Sequence, residues 1–134
     1  MPTATRTTAA ATGTRSAAHS GRTFEELPVR TRGCCSDVAA PLPEARADDI
    51  AGVMRALADP TRVQMVHMLK AATEPICVCD FNAVFHVGQP TVSHHLAKLR
   101  DAGLVESEKL GIWAFYRLRG DLSPAAKQAV ALIP

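Results

Sequence analysis

The apolar residues of this chain keep one period as far as Gly103 and another beyond it, and that switch limits the folds open to the sequence. Ile50, Val53, Met54 and Leu57 fall at i, i+3, i+4 and i+7, the stripe of an amphipathic helix that follows Pro43, a first-turn proline. Asp59-Pro60 supplies an N-cap and another first-turn proline. The second helix it opens carries Val63, Met65, Val66, Met68 and Leu69, an arc broad enough to place it centrally, with His67 as a partly buried packing residue. Glu74-Pro75 ends that helix, and Val78, Phe81, Val84 and Phe85 keep helical spacing over a short third one. His86-Val87-Gly88 is a turn, and Gln89-Pro90 opens a fourth helix with Val92, Leu96 and Leu99 as its buried stripe and Gly103 as its C-terminal cap. The period then falls to about two, which predicts strands over Leu104–Lys109 and Ile112–Leu118 around a turn at Leu110-Gly111. Ser123-Pro124 starts a last helix. Helix, helix, helix-turn-helix, hairpin, helix is the order of a mainly α winged helix-turn-helix with a β-hairpin.

The 134 residues suffice for one such domain and not for two ordinary ones. Aromatic content of 4% disfavours an aromatic-rich sandwich, and no run approaches the 18 apolar residues of a transmembrane span. The first 24 residues hold three Arg and no acid but no apolar stretch, so no secretory leader is expected, and a faint transit-peptide character yields to an Ala/Thr-rich tail. The division expected is therefore a disordered basic tail over residues 1–42, in which Phe24-Glu25-Glu26-Leu27 and Cys34-Cys35 are the features able to touch anything, and a folded domain over 43–134. A cytoplasmic location, with no membrane partner, is expected. Residues 1–33 hold five Arg against two Glu, residues 34–85 four basic against seven acidic groups, and residues 86–134 six against four. A basic tail and a basic C-terminal half suit a polyanion.

The fourth helix has the composition of a major-groove reader. With Val92, Leu96 and Leu99 turned inward, Thr91, His94, Lys98 and Asp101 lie opposite and Ser93 and His95 lie on the flanks. Short hydrogen-bonding groups and a cation suit base edges and phosphates, whereas a merely solvated amphipathic helix would need none of them. Lys109, Arg117 and Arg119 sit in or after the hairpin, where backbone contacts would supply affinity and register.

Four segments in order, Ala56-Leu57-Ala58-Asp59-Pro60-Thr61-Arg62, Cys77-Val78-Cys79-Asp80, Gln89-Pro90-Thr91-Val92-Ser93-His94-His95-Leu96 and Leu99-Arg100-Asp101-Ala102-Gly103-Leu104-Val105, resemble the ArsR/SmtB family of metal-sensing repressors. The resemblance covers roughly residues 45–132. It implies a homodimer joined through the first and last helices on a near-palindromic double-stranded operator. It also implies base reading by Gln89, Thr91, Ser93 and His94, with backbone contacts from His95 and Lys98. Gly88 departs from the pattern, which often has a serine there.

The effector has to be read from the four cysteines. The last helix, residues 124–132, contains no His, Asp or Glu, so the dimer-helix site of the zinc sensors is absent. Cys77-Val78-Cys79 is similar to the thiolate motif of the arsenic and cadmium/lead sensors. Two residues apart on a regular helix, these side chains would diverge by about 200°, so a shared ion requires a distorted first turn of the third helix. Cys77 also reads as a small buried hydrophobe, a reading that suits Cys79 less well. Cys34 and Cys35, in a segment expected to be mobile, could adapt around a soft ion, and related sensors take such a tail from the other subunit. Cys34, Cys35, Cys77 and Cys79 are thus the candidate ligands, with no His beside either pair. All-sulfur ligation favours As(III) or Sb(III), with Cd(II)/Pb(II) as the alternative. A thiol redox sensor of the same fold is a further reading. A thiol enzyme is set aside, because the chain lacks C-x-x-C, a Gly-rich phosphate loop and an acid–base pair beside a cysteine.

Overall fold

A computed structural model describes residues 23–26 and 38–134, and the chain divides into two units, Met1–Ala39 and Ala40–Pro134. In the first unit the described residues form one 3-10 turn, Phe24–Glu26, closed by the Thr23 N–H on the Glu26 carboxylate at 2.9 Å. Phe24 is exposed there. The expected tail and its Cys34-Cys35 pair otherwise lie outside the described residues.

The second unit runs α1 (Glu44–Leu57), α2 (Pro60–Ala71), β1 (Ile76–Cys77), α3 (Val78–Phe85), α4 (Gln89–Asp101), β2 (Val105–Leu110), β3 (Trp113–Leu118) and α5 (Pro124–Leu132). This is the winged helix-turn-helix order expected. The polar–proline starts work as read. Asp59 accepts the Arg62 N–H at 3.1 Å and Ser123 accepts the Ala126 N–H at 3.2 Å, each just ahead of a proline that has no N–H to satisfy. Gly103 takes φ 74°, and the Leu104 N–H reaches the Leu99 carbonyl at 3.0 Å, the long bond of a Schellman motif. Pro43 stands one place earlier than expected, at the N-cap of α1.

Phe81, Met65, Leu96, Leu99 and Leu104 are enclosed in one core fed by every element of this unit, with α1 packed on α5 and α3 on α4. Four expectations are corrected. The hairpin turn is Gly111-Ile112, one residue later than read, with Leu110 paired to Trp113 and Gly111 at φ 62°. The sheet has a third strand, because Ile76 and Cys77 pair antiparallel with Tyr116 and Phe115 in the order β1-β3-β2, and two residues carry no periodic signal. His67 is exposed rather than packed. Its Nδ1 donates to the Pro134 carbonyl at 2.7 Å, while Lys70 Nζ donates to the Val130 and Ile133 carbonyls. Cationic and N–H donors from α2 thereby reach carbonyls at and beyond the end of α5, where Val130 also accepts the Ile133 N–H. Met54, expected on the apolar stripe of α1, is 59% exposed, and Ala56 takes the buried place. No helix among the described residues is long and apolar enough to cross a membrane.

Because Leu96 is enclosed from all sides, Leu96→Ala should cost roughly 2–5 kcal/mol, against about 1 kcal/mol for removing the α5 cap in Ser123→Ala. Urea midpoints of the two variants, measured at equal slope, check that ranking.

Candidate nucleic-acid interface and thiol pair

Helix α4 exposes Gln89, Thr91, His94, Lys98 and Asp101, half-buries Ser93, and encloses Val92, Leu96 and Leu99. Its N-cap, Gly88, contributes no side chain, and a Cβ there would meet Pro90 Cδ at an ordinary 3.6 Å, so the backbone does not demand glycine. Lys98 and Asp101 overlook a cleft of about 400 Å³ shared with Arg55 and Arg62 from the α1–α2 corner.

His95 departs from its neighbours. Its side chain is 16% exposed, with Nδ1 3.3 Å from an Arg62 guanidinium nitrogen and 3.9 Å from the Asp59 carboxylate. Arg62, itself 14% exposed, donates through Nε to the Ala56 carbonyl and through its other terminal nitrogen to the Arg55 carbonyl. One guanidinium therefore ties the last carbonyls of α1 to the reading helix, and His95 is held in that network beside the exposed face. Neither residue's part in it was readable from spacing, since Arg62 and His95 are 33 positions apart. The Arg62 N–H holds the Asp59 carboxyl below its ordinary range; burial opposes it, and the charges of Arg62 and His95 and the Thr61 N–H add to the lowering.

On the wing, Lys109 is exposed and forms no ion pair among the described residues. Arg117 Nε donates to Glu106 across the strand pair, and Arg119 grips Asp121 through two bonds of 2.9 and 2.8 Å. That grip holds Asp121 below and Arg119 above its usual range. These are surface pairs, which exchange readily with phosphate oxygens. The three expected backbone contacts thus comprise one open cation and two that must change partners.

The angle expected between Cys77 and Cys79 presumes that both lie in one regular helix. Cys77 precedes α3 as its N-cap, with extended backbone (φ −70°, ψ 148°), and its N–H donates to the Asp80 carboxylate at 3.2 Å. Of the two, only Cys79 is helical, so the angle of a regular helix does not apply between them. The neighbouring Cys77 side chain pushes the Cys79 thiol above its ordinary range, and burial and the charges of Cys77 and Asp80 add to the effect. Cys77 is buried and Cys79 exposed, both as free thiols. Two soft donors at the start of one helix suit part of a thiophilic ion's shell. Among the described residues no group of three or more His, Cys, Asp or Glu could hold a metal ion.

Residues 59–107 match the family described as bacterial regulatory protein, arsR family. The chain is 42% identical over 66 residues to the arsenical resistance operon repressor of Escherichia coli K12, covering 49% of this chain and 56% of that protein. It therefore spans little more than half the length of that relative. It is 39% identical over 71 residues to an uncharacterized HTH-type transcriptional regulator, MJ1325, of Methanocaldococcus jannaschii, covering 53% of this chain and 79% of the relative. Among solved structures it is similar to the homodimeric winged helix-turn-helix DNA-binding domain (fragment 1–100) of Mb0332 from Mycobacterium bovis, with a TM-score of 0.56, 28% identity and coverage of 71% and 86%.

The Asp59 cap should show in pH dependence. A depressed carboxyl stabilises the fold above the ordinary aspartate range and loses that contribution as pH falls through its folded value. Asp59→Ala should lower the urea midpoint at neutral pH, and the gap to the parent chain should narrow on acidification through the carboxylate range. A gap that widens on acidification would contradict the assignment.

Proposed function

Because the chain belongs to the ArsR/SmtB family of winged helix-turn-helix transcriptional regulators, whose members are not enzymes, we propose that it is a homodimeric repressor released from operator DNA when As(III) or Sb(III) binds its cysteine thiols. The observation that carries the effector is the place of two free thiols, Cys77 as the N-cap of α3 and Cys79 in its first turn, at the start of the helix-turn-helix.

In this reading Gln89, Thr91, Ser93 and His94 meet base edges and Lys98 a phosphate. His95, held by Arg62, orients the helix and reaches DNA only at its flank. Lys109 contacts the backbone directly, and Arg117 and Arg119 do so after leaving Glu106 and Asp121. Helices α1 and α5 form the dimer surface, which would cover Met54 and Leu132, 59% and 86% exposed in the single chain. Two-fold symmetry then sets the reading helices about 34 Å apart on successive major grooves. Residues 43–134 carry recognition, and residues 1–42 contribute five arginines and two further thiols.

The ligands for arsenic are Cys34 and Cys35 together with Cys77 or Cys79. Trivalent arsenic takes three thiols by condensation, As(OH)3 + 3 RSH → As(SR)3 + 3 H2O, with no net proton release. Cd(II) or Pb(II) would expel one proton per thiol. Arsenite release should therefore vary little with pH across neutrality, while cadmium binding should strengthen as pH rises.

Gel-shift titration with arsenite, cadmium, lead, zinc and peroxide tests the reading. Arsenite should lower operator affinity roughly 5- to 150-fold. Cys34→Ser/Cys35→Ser should still bind DNA but ignore arsenite, as should Cys77→Ser/Cys79→Ser. Release by peroxide alone would favour the redox reading. Ser93→Ala or His94→Ala should cost roughly 1–3 kcal/mol on the operator and little on random DNA. Equal losses on both DNAs for His94→Ala would defeat base reading.

A further inference from the structure

The outer face of the wing breaks the alternation that an antiparallel sheet over a core ordinarily keeps. The register puts Val105, Ser107 and Lys109 on one face with Leu118, Tyr116 and Ala114, and Val105 and Tyr116 are buried there. Glu106, Glu108 and Leu110 therefore stand on the other face with Arg117, Phe115 and Trp113, where polar side chains are expected throughout. Three of those six are large and apolar. Leu110 and Trp113 are exposed, Phe115 is half-buried, and none of the three packs on the core. Apolar surface that the fold does not use calls for another explanation. Strand β1 runs beside Phe115, and Pro75, just ahead of it, lines with Leu110 and Phe115 a cavity of about 570 Å³. That volume suits a small organic molecule.

We propose that this cavity binds a small lipophilic organic cation, an aromatic or alkyl body carrying a single positive charge. The inference goes beyond the repressor reading above and does not rest on it. Charge complementarity sets the sign of the ligand. Three carboxylates and one guanidinium line the cavity, and that guanidinium, Arg117, is already paired with Glu106. Glu74, ahead of β1, and Glu108, on β2, have no cationic partner among the described residues. An anion would meet both of them unscreened. A bare metal ion does not fit either, because among the described residues no three His, Cys, Asp or Glu side chains converge on one. A lipophilic cation uses both halves of the lining. Its apolar body covers Leu110, Pro75 and Phe115, and its charge answers Glu74 and Glu108 beside an aromatic ring that itself attracts cations. The lining comes from β2, β3 and the segment entering β1, so such a ligand would tie the wing to the strand that carries Cys77.

The probe is tetraphenylphosphonium, titrated into the full chain by calorimetry. Emission of Trp113, the only tryptophan and the residue opposite Leu110 on the same face, is the second readout. One tetraphenylphosphonium should bind per chain, Trp113 emission should change at the same midpoint, and affinity should fall as salt rises. Neutral triphenylphosphine oxide should bind about tenfold more weakly. Glu74→Gln and Glu108→Gln should each weaken binding about threefold and together about tenfold, as exposed charges do. Leu110→Ser should weaken it too, and all of these positions are exposed, so urea midpoints should stay close to the parent's. The proposal is overturned if tetraphenylphosphonium does not saturate, or if the Glu74→Gln/Glu108→Gln chain binds it as the parent does. It is overturned equally if tetraphenylborate or triphenylphosphine oxide binds as tightly, which would leave an unselective apolar patch. Displacement by hexa-arginine binding more tightly than tetraphenylphosphonium would make the surface a seat for a basic protein segment. A drop in oligomeric mass for Leu110→Ser would give it to a second copy of the chain. Either result also removes the small-cation site.

Discussion

Complete burial of Val92, Leu96 and Leu99 is the constraint on which the candidate interface depends. With those three side chains fixed in the core, helical geometry leaves no choice about Thr91, His94 and Lys98, which stand on the opposite side. The same stripe decides where the wing begins, because Leu99 accepts the Leu104 N–H that closes the α4 cap, and Leu104 and Val105 return at once into the core. Reading helix and hairpin are thus two exits from one packed centre. Arg62 adds a polar restraint to the same helix, holding His95 while it caps the end of α1. The helix proposed to pair two copies and the helix proposed to read DNA consequently share a hydrogen-bonded corner.

Cys77 occupies a comparable junction on the other side of the helix-turn-helix. It pairs with Phe115 in the sheet and caps α3, two residues before the exposed Cys79 thiol. A residue buried as Cys77 is could serve packing alone. Under the proposed reading, the exposed thiol two residues on gives it a second use that packing does not require.

The element order was legible in the sequence because its punctuation is chemical as well as periodic. Asp59-Pro60 and Ser123-Pro124 announce helix starts by supplying an acceptor and removing a donor, and Gly103 announces a stop that needs positive φ. The exposed face of α4 followed from the same stripe. Other features escaped for identifiable reasons. Strand β1 is two residues long and exists only through β3. The angle between Cys77 and Cys79 depends on whether Cys77 lies inside or just before α3, a one-residue boundary that periodicity does not resolve. The Arg62–His95 tie and the His67–Pro134 bond join residues 33 and 67 positions apart, which no local pattern encodes. Met54 obeyed the apolar period and yet stands in solvent, as expected of a residue whose cover is another subunit rather than its own core.

Under the proposed reading, the burial of Cys77 is what lets an effector act on DNA at all. An ion bound by two freely exposed thiols would gain the same free energy in every state of the dimer, and a ligand without differential affinity shifts nothing. Cys77 is only 6% exposed, so its sulfur cannot join a shell completed by thiols from elsewhere unless its corner opens. Opening it disturbs the Cys77 N–H bond to Asp80, and with it the first turn of α3, together with the pairing of Cys77 with Phe115. Helix α3 packs on α4, and β3 is one of the two strands of the wing. The free energy of ligation is therefore drawn partly from contacts that position the reading helix and the hairpin, and the state that binds thiophilic ion best is one in which those two elements have moved.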